Sequence, residues 1–282
     1  VEPVQSRRPE FVPVEFLKQV RAITAESGTA LIFDEVITGF RMHPGGAQAL
    51  FGIKADLASY GKVVGGGLPI GVIAGKRAFM DALDGGHWNY GDGSVPEIGV
   101  TYFAGTFVRH PLALAAAKAS LLHMRDMGPG LQQSLTAKTN WLADTLNAII
   151  RQHQLPMSVV HFGSLWKIKW SEDVPYGELL FTLMREKGIH IWDGFPCFMT
   201  EAHTDAELEM IVHRFIESVE ELTKATFFPQ ITTDTSVVPT NDVPYASSPV
   251  PGARVGRDLQ GNPAWFIPNP EQPGKYLQVA FE

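Results

Sequence analysis

Thr29-Ala30-Leu31-Ile32-Phe33-Asp34-Glu35-Val36-Ile37-Thr38-Gly39-Phe40-Arg41 is the stretch that decides the fold. It begins as a short, nearly continuous apolar run and stops at two carboxylates. A run without alternation suits a strand buried on both faces. Just upstream, residues 12–28 place Phe16, Leu17, Val20 and Ile23 at helical spacing, and Gly28 ends the helix. A helix leading into a buried strand is an αβ unit, which predicts a parallel sheet. Residues 57–60 and 70–74 are two further short strand candidates. An open α/β sheet follows, and such sheets bind ligands beyond the carboxyl ends of their strands.

Downstream, Pro111 opens a helix over 111–127, and Pro is favoured at a first helical position. A longer helix is predicted over 129–154 from Leu131, Leu135, Leu142, Leu146 and Ile149. Residues 159–170 read as a strand, 176–187 as a helix and 189–192 as a strand. Residues 205–223 read as a closing helix, with Thr204 and Glu207 spaced as a capping box. This block is α+β and holds few candidate catalytic groups. After Phe228 the composition turns proline-rich, which predicts an extended linker without its own core. The expected division is a partial large domain over 1–126, a small domain over 127–226 and a linker over 227–282.

The chain of 282 residues carries 45% hydrophobic and 19% charged residues, which fits a globular protein rather than a disordered one. Its net charge of -7 argues against neutralising nucleic-acid phosphates, so no nucleic-acid partner is expected. The one cysteine, Cys197, excludes a disulfide framework and a cysteine-based zinc site. The nine histidines show no metal spacing, so no metal is expected. No apolar run is long enough to span a membrane, and the expected address is cytoplasmic. Val1-Glu2-Pro3-Val4 reads as the end of a buried strand, and the expectation is a segment of a longer polypeptide.

Three places carry possible chemistry. Asp34 stands at the carboxyl end of the first strand, where a carboxylate can hold a metal, act as a base, pair with a protonated ring nitrogen or serve as a structural cap. Lys62 follows the second strand candidate and precedes Gly65-Gly66-Gly67-Leu68-Pro69-Ile70-Gly71. A Walker loop puts its glycines before the lysine and a Ser or Thr after it, whereas here the glycines follow and Val63 comes next. A surface lysine is the plain reading. The chemical alternative is a buried, desolvated amine used as a nucleophile. Lys76, beside Arg77, reads as a surface residue. Gly105-Thr106, before the Pro111 helix, offers backbone N–H groups and a hydroxyl that suit an anion or a simple helix start. His43 and His110 are weaker candidates.

Taken in order, the segments Leu31–Arg41, Gly61-Lys62 with Gly65–Gly71, and Gly105-Thr106 before a Pro-led helix closely resemble the class III pyridoxal-phosphate aminotransferases, most nearly the glutamate-1-semialdehyde aminomutases. The resemblance covers about residues 1–225. It implies a PLP-dependent transferase of fold type I, with pyridoxal 5'-phosphate as cofactor. It implies that Lys62 holds the cofactor covalently and moves the substrate proton, and that Asp34 keeps the pyridinium nitrogen protonated. It places Val36 on the ring face. Gly105 and Thr106 then bind the cofactor phosphate of the other subunit, which implies a homodimer. The family's N-terminal part has no counterpart here, so the chain alone is expected to be inactive and not to fold stably.

The tail resembles something else. Val250-Pro251-Gly252-Ala253-Arg254-Val255-Gly256-Arg257-Asp258 and Gly261-Asn262-Pro263-Ala264-Trp265-Phe266 look like the segment between an aminotransferase domain and a following condensation domain. Hybrid polyketide/nonribosomal peptide synthetases of the microcystin/nodularin and iturin/mycosubtilin types carry such segments. This implies transamination of a carrier protein-bound β-keto acyl chain, with an amino acid, glutamate foremost, as donor and neighbouring synthetase domains as partners. The alternative is a free-standing glutamate-1-semialdehyde aminomutase or another small-molecule ω-aminotransferase.

Overall fold

A computed structural model describes residues 1–83, 88–89, 91–95, 105–228, 254–257, 263–269 and 275–279. Helix α1 (Val14–Glu26) leads into strand β1 (Ile32–Asp34). A six-residue helix, α2 (Gly46–Phe51), precedes strand β2 (Leu57–Tyr60). A 3-10 turn over Lys62–Gly65 leads to strand β3 (Val72–Gly75) and the short helix α3 (Arg77–Met80). Strands β1 and β2 pair in parallel, with Ile32 opposite Leu57 and Asp34 opposite Ser59. The αβ unit therefore stands.

The third strand departs from expectation. It begins two residues later than read and runs antiparallel to β2. The turn at Lys62 reverses the chain with no crossover helix between them, and only an antiparallel return is possible over so short a connection. The core beneath this sheet is formed by Leu17 of α1 with Leu31, Phe33, Ile53, Ala55 and Ala58. Val1 is not part of a strand, yet its amino group donates to Ile32 O at 2.7 Å and its carbonyl accepts from Asp34 N at 2.8 Å. The N-terminal residue thus lies along the free edge of β1.

Helix α4 (Pro111–Met127) starts at the predicted proline, with His110 Nδ1 accepting from Ala113 N. Helix α5 (Gly130–Gln152) follows after two residues. The predicted strand over 159–170 is instead a hairpin of β4 (Met157–Phe162) and β5 (Leu165–Trp170). Gly163, at φ +58, makes the two-residue turn, and a positive φ there comes at little cost only to glycine. Helix α6 (Leu179–Glu186) is shorter than predicted. Residues 189–192 form no strand. The edge of β5 is taken by a two-residue strand, β6 (Cys197–Phe198), which pairs with Leu165 and Trp166. Helix α7 (Asp205–Lys224) closes the block, with the capping box of Thr204 and Glu207 formed.

A second apolar core gathers Leu142 and Leu146 of α5, Val159 and Ile168 of the hairpin, Phe181 of α6 and Phe215 and Val219 of α7. Among the described residues no helix is long and apolar enough to cross a membrane. The chain divides into two units, residues 1–231 and 232–282. The second unit holds an antiparallel meander of β7 (Arg254–Arg257), β8 (Pro263–Pro268) and β9 (Tyr276–Val279). Short runs around Trp265 and Tyr276 thus give the expected linker region a small sheet of its own. The proline-rich stretch 229–253 lies outside the described residues.

Candidate active site

Asp34 ends β1 on its carboxyl side and is exposed. Its Oδ1 accepts from Val36 N at 3.0 Å and from Ser59 Oγ at 3.3 Å. Among the described residues Oδ2 accepts no hydrogen bond. One oxygen is therefore held by the protein while the other is left for a further donor. This choice follows from the parallel register, which sets Ser59 directly opposite Asp34.

Three residues beyond Ser59 comes Lys62, at the start of the 3-10 turn, with φ +44. A non-glycine residue in the left-handed region carries strain, and such strain gathers at functional turns. The side chain is exposed. The notion of a buried, desolvated amine is therefore corrected for this chain: the turn carries Lys62 past the end of the sheet, where no described element covers it. Gly61, just before it, is extended and tightly placed. A Cβ there would lie 3.2 Å from Ile70 O and 3.4 Å from Val36 Cγ1. The sheet thus brings Asp34, Val36 and the Lys62 turn to one edge.

Gly105 and Thr106 are exposed and sit in the turn before α4. No described hydrogen bond joins them to Asp34, Val36 or Lys62. Helix α4 does pack on the Lys62 turn, but near its middle: a Cβ on Gly66 would lie 2.5 Å from Ser120 Oγ. The first turn of α4 lies nine residues earlier, about 14 Å along the axis. His110 caps α4, and His43 Nδ1 accepts from Gly45 N, so both are structural.

Several residues here escaped the sequence reading. Glu35, next to Asp34, is fully buried, and its carboxylate accepts from Thr38 Oγ1, Ala47 N and Gln48 N at 2.6–2.9 Å. It satisfies the otherwise unpaired N–H groups that open α2. Gln48 in turn donates to the Tyr60 hydroxyl at 3.2 Å, and burial, with the nearby Glu35 charge, pushes that phenol upward. Asp56 is also buried, between Lys76 at 2.6 Å and Arg21 at 2.8 Å. These bonds, with the N–H of Leu31, hold its carboxyl well below the usual range. Lys76 is therefore an ion-pair partner and not an idle surface group. Arg41 donates Nε to Ile37 O and lies over the Phe198 ring at 3.9 Å, and burial brings its pKa down to about 10.

The carboxylate with one free oxygen, and the amine a few residues along the neighbouring strand, fit a cofactor with a cationic ring nitrogen and an electrophilic carbon. Comparison with known proteins agrees. Residues 1–215 match the model of the family described as aminotransferase class-III. A glutamate-1-semialdehyde 2,1-aminomutase of Dechloromonas aromatica is 35% identical over 223 residues, 74% of this chain and 49% of that protein. One from Alkaliphilus oremlandii is 32% identical over 237 residues, 79% and 52% of the two chains. Among solved structures, a β-phenylalanine aminotransferase of Variovorax paradoxus superposes with a TM-score of 0.67 at 25% identity, covering 79% of this chain and 52% of that one. An ω-transaminase of Sphaerobacter thermophilus gives 0.62 at 25% identity, covering 74% and 48%. The chain spans about half the length of the relatives it matches. The order of elements from α1 to α7, the carboxylate and lysine on one sheet edge and a family match over residues 1–215 lead to one conclusion: this chain belongs to the class III aminotransferases.

Proposed function

We propose that the protein of which this chain forms part is a pyridoxal 5'-phosphate-dependent aminotransferase acting on a carrier-bound β-keto acyl chain. The amino group comes from an amino acid, glutamate foremost, which leaves as its keto acid. The observation that carries the aminotransferase reading is the shared edge of Asp34 and Lys62. Pyridoxal 5'-phosphate, when bound, supplies an electron sink for the carbanion left by α-proton loss. Asp34 would hold the ring nitrogen's proton through its free Oδ2. Lys62 would hold the cofactor and then carry the proton from one carbon to another as base and acid. Val36, beside Gly61, would pack on the ring face. Gly105 and Thr106 would serve the phosphate of a second subunit in a homodimer.

The carrier-bound substrate is supported by the sequence of the tail after residue 229. The second reading, a glutamate-1-semialdehyde aminomutase, is favoured by the 35% identity to such an enzyme. One experiment separates them. The complete polypeptide is given isotope-labelled glutamate with a β-keto acyl carrier protein, and separately glutamate-1-semialdehyde alone. Labelled nitrogen on the carrier-bound chain supports the first reading. Isomerisation of the free semialdehyde without label transfer to the carrier overturns it in favour of the second.

A further inference from the structure

Strand β5 turns Trp166 and Ile168 to the core, so Lys167 and Lys169 stand on the outer face of the hairpin. The segment after Val1 packs on that face: Lys167 Nζ donates to Arg7 O at 3.4 Å, and Lys169 pairs with Glu10 at 2.7 Å. The Arg7 guanidinium lies over the Phe195 ring at 5.6 Å, and that of Arg8 over Phe11 at 5.1 Å. Burial works to raise the Glu10 pKa, but Lys169 and Arg8 bring it below the ordinary value, so Arg8 belongs to the same group of charges. Phe195 in turn stacks on Trp192, with 3.9 Å between ring centroids, and Trp192 is 63% exposed. Four cations and an aromatic pair thus gather here, and among the described residues only Lys169 of the four forms an ion pair. We infer that this face docks an acidic protein surface, that of the carrier which presents the β-keto acyl chain; the inference rests on the carrier reading above.

The chain as a whole carries a net charge of -7, so this cluster runs against the sign of the rest. Crowding like charges is unfavourable, and Lys167 registers it: burial lowers its pKa, Glu10 raises it, and Arg7 and Lys169 lower it again. An acidic partner relieves that repulsion. The overall negative charge disfavours a nucleic acid, whereas exposed aromatics beside arginines are enriched where proteins meet. The place fits as well. Val1 bonds to Ile32 O and Asp34 N, the parallel pattern opposite Phe33. The chain therefore heads toward the carboxyl end of β1, where Asp34 stands, and Arg7 lies within about 20 Å of Val1. On the other side, Phe195 leads into β6, whose Phe198 lies under the Arg41 guanidinium at 3.9 Å. Arg41 belongs to the loop that follows Asp34. The basic face is thus a short stretch of chain from the proposed site, where a carrier must stand to present its acyl chain.

The test uses the complete polypeptide with its cofactor. Transamination is compared on a β-keto acyl chain held by the carrier protein and on the same chain as an N-acetylcysteamine thioester. Arg7→Glu with Lys167→Glu should raise KM for the carrier substrate by about tenfold or more, and far more than for the thioester. Raising the salt to about 0.5 M should erase most of that difference, because exposed charges are screened. Arg7→Lys with Lys167→Arg keeps the charges and should hold KM for the carrier within about twofold of the unaltered protein. Where the double reversal does not fold, Arg8→Glu carries the test, with an expected rise of about threefold. Equal effects on both substrates, no effect of the reversals, or a loss insensitive to salt overturns the inference and leaves the carrier reading standing. So does a change in assembly mass by light scattering without a selective loss, which gives the face to a second copy. Failure of the unaltered polypeptide to act on the carrier substrate while it turns over the thioester overturns both.

Discussion

The Ser59 hydroxyl donates to Oδ1 of Asp34 across the parallel pair of β1 and β2, at 3.3 Å. The Val36 N–H donates to the same oxygen, so among the described residues Oδ2 is the oxygen without a donor. Replacing Asp34 by Asn removes the charge that keeps a bound ring nitrogen protonated. Asp34→Asn in the complete enzyme should lower kcat by about a hundredfold or more. Ser59→Ala loosens the carboxylate without discharging it and should cost less than about tenfold. Steady-state kinetics on both variants decides, and equal losses would show that Ser59 does not act through Asp34.

Lys62 holds φ +44 while its side chain is exposed. Activity and stability should therefore part company at this residue. Lys62→Ala and Lys62→Gly should both abolish turnover. Lys62→Gly should be the more stable of the two by about 1 kcal/mol, since glycine alone adopts that backbone without a Cβ clash. Thermal melts compare them, and an alanine variant at least as stable as the glycine one would contradict the strain.

Asp56 ties α1 to the loop before β2 and to Lys76 after β3. Asp56→Asn leaves two cations without their anion and should cost about 3 kcal/mol near neutral pH. The folded carboxyl titrates below its unfolded value, so its contribution is complete above about pH 4–5. It is lost as the pH falls below that toward the folded pKa. Denaturant melts should show the two proteins converging under acid conditions. A gap that stayed constant down to pH 2 would rule out the carboxylate as its source.

Gly46 opens α2 at φ +70, and a Cβ on it would lie 2.6–2.8 Å from the Glu35 carboxylate. Neither atom set can yield, because Glu35 is buried and held by three donors. Gly46→Ala should therefore destabilise by about 2 kcal/mol or more. Glu35→Gln should cost a comparable amount through lost acceptors. Urea unfolding of each variant measures both.

Burial pushes the Cys197 thiol up to about 11. At pH 8 its thiolate is scarce, so alkylation by iodoacetamide should be on the order of a hundredfold slower than for an unfolded cysteine. Rapid labelling in native buffer, equal to that in denaturant, would contradict the buried thiol.

Patterns that repeat over neighbouring residues were legible without the fold. The 3.6-residue apolar spacing located α1, α4, α5 and α7 within about two residues at each end. The Pro111 start and the Thr204–Glu207 cap are local chemistry and read directly. The apolar run ending at Asp34 announced a parallel strand with a carboxylate at its end, but burial on both faces did not follow: Phe33 is buried while Ile32 and Asp34 are exposed. The hairpin was in fact signalled by Gly163-Ser164 between two short runs, and reading 159–170 as one strand overlooked that turn. The strand expected at 189–192 failed because an apolar stretch signals burial, and Ile191 is indeed buried without sheet pairing.

The order of residues by itself therefore determined the αβ unit and the long helices, and it pointed to Asp34 and Lys62 as the groups proposed for the chemistry. The tertiary structure alone decided which oxygen of Asp34 is free, that Lys62 stands exposed, and that Glu35 and Asp56 are structural. It also decided that Arg7 and Lys167, 160 residues apart in sequence, meet on one face. The physical reason is range. Helix periodicity, capping and strand burial act between near neighbours and leave their trace in short windows. Partnership of a buried charge depends on which distant element packs against it, and no local pattern encodes that choice.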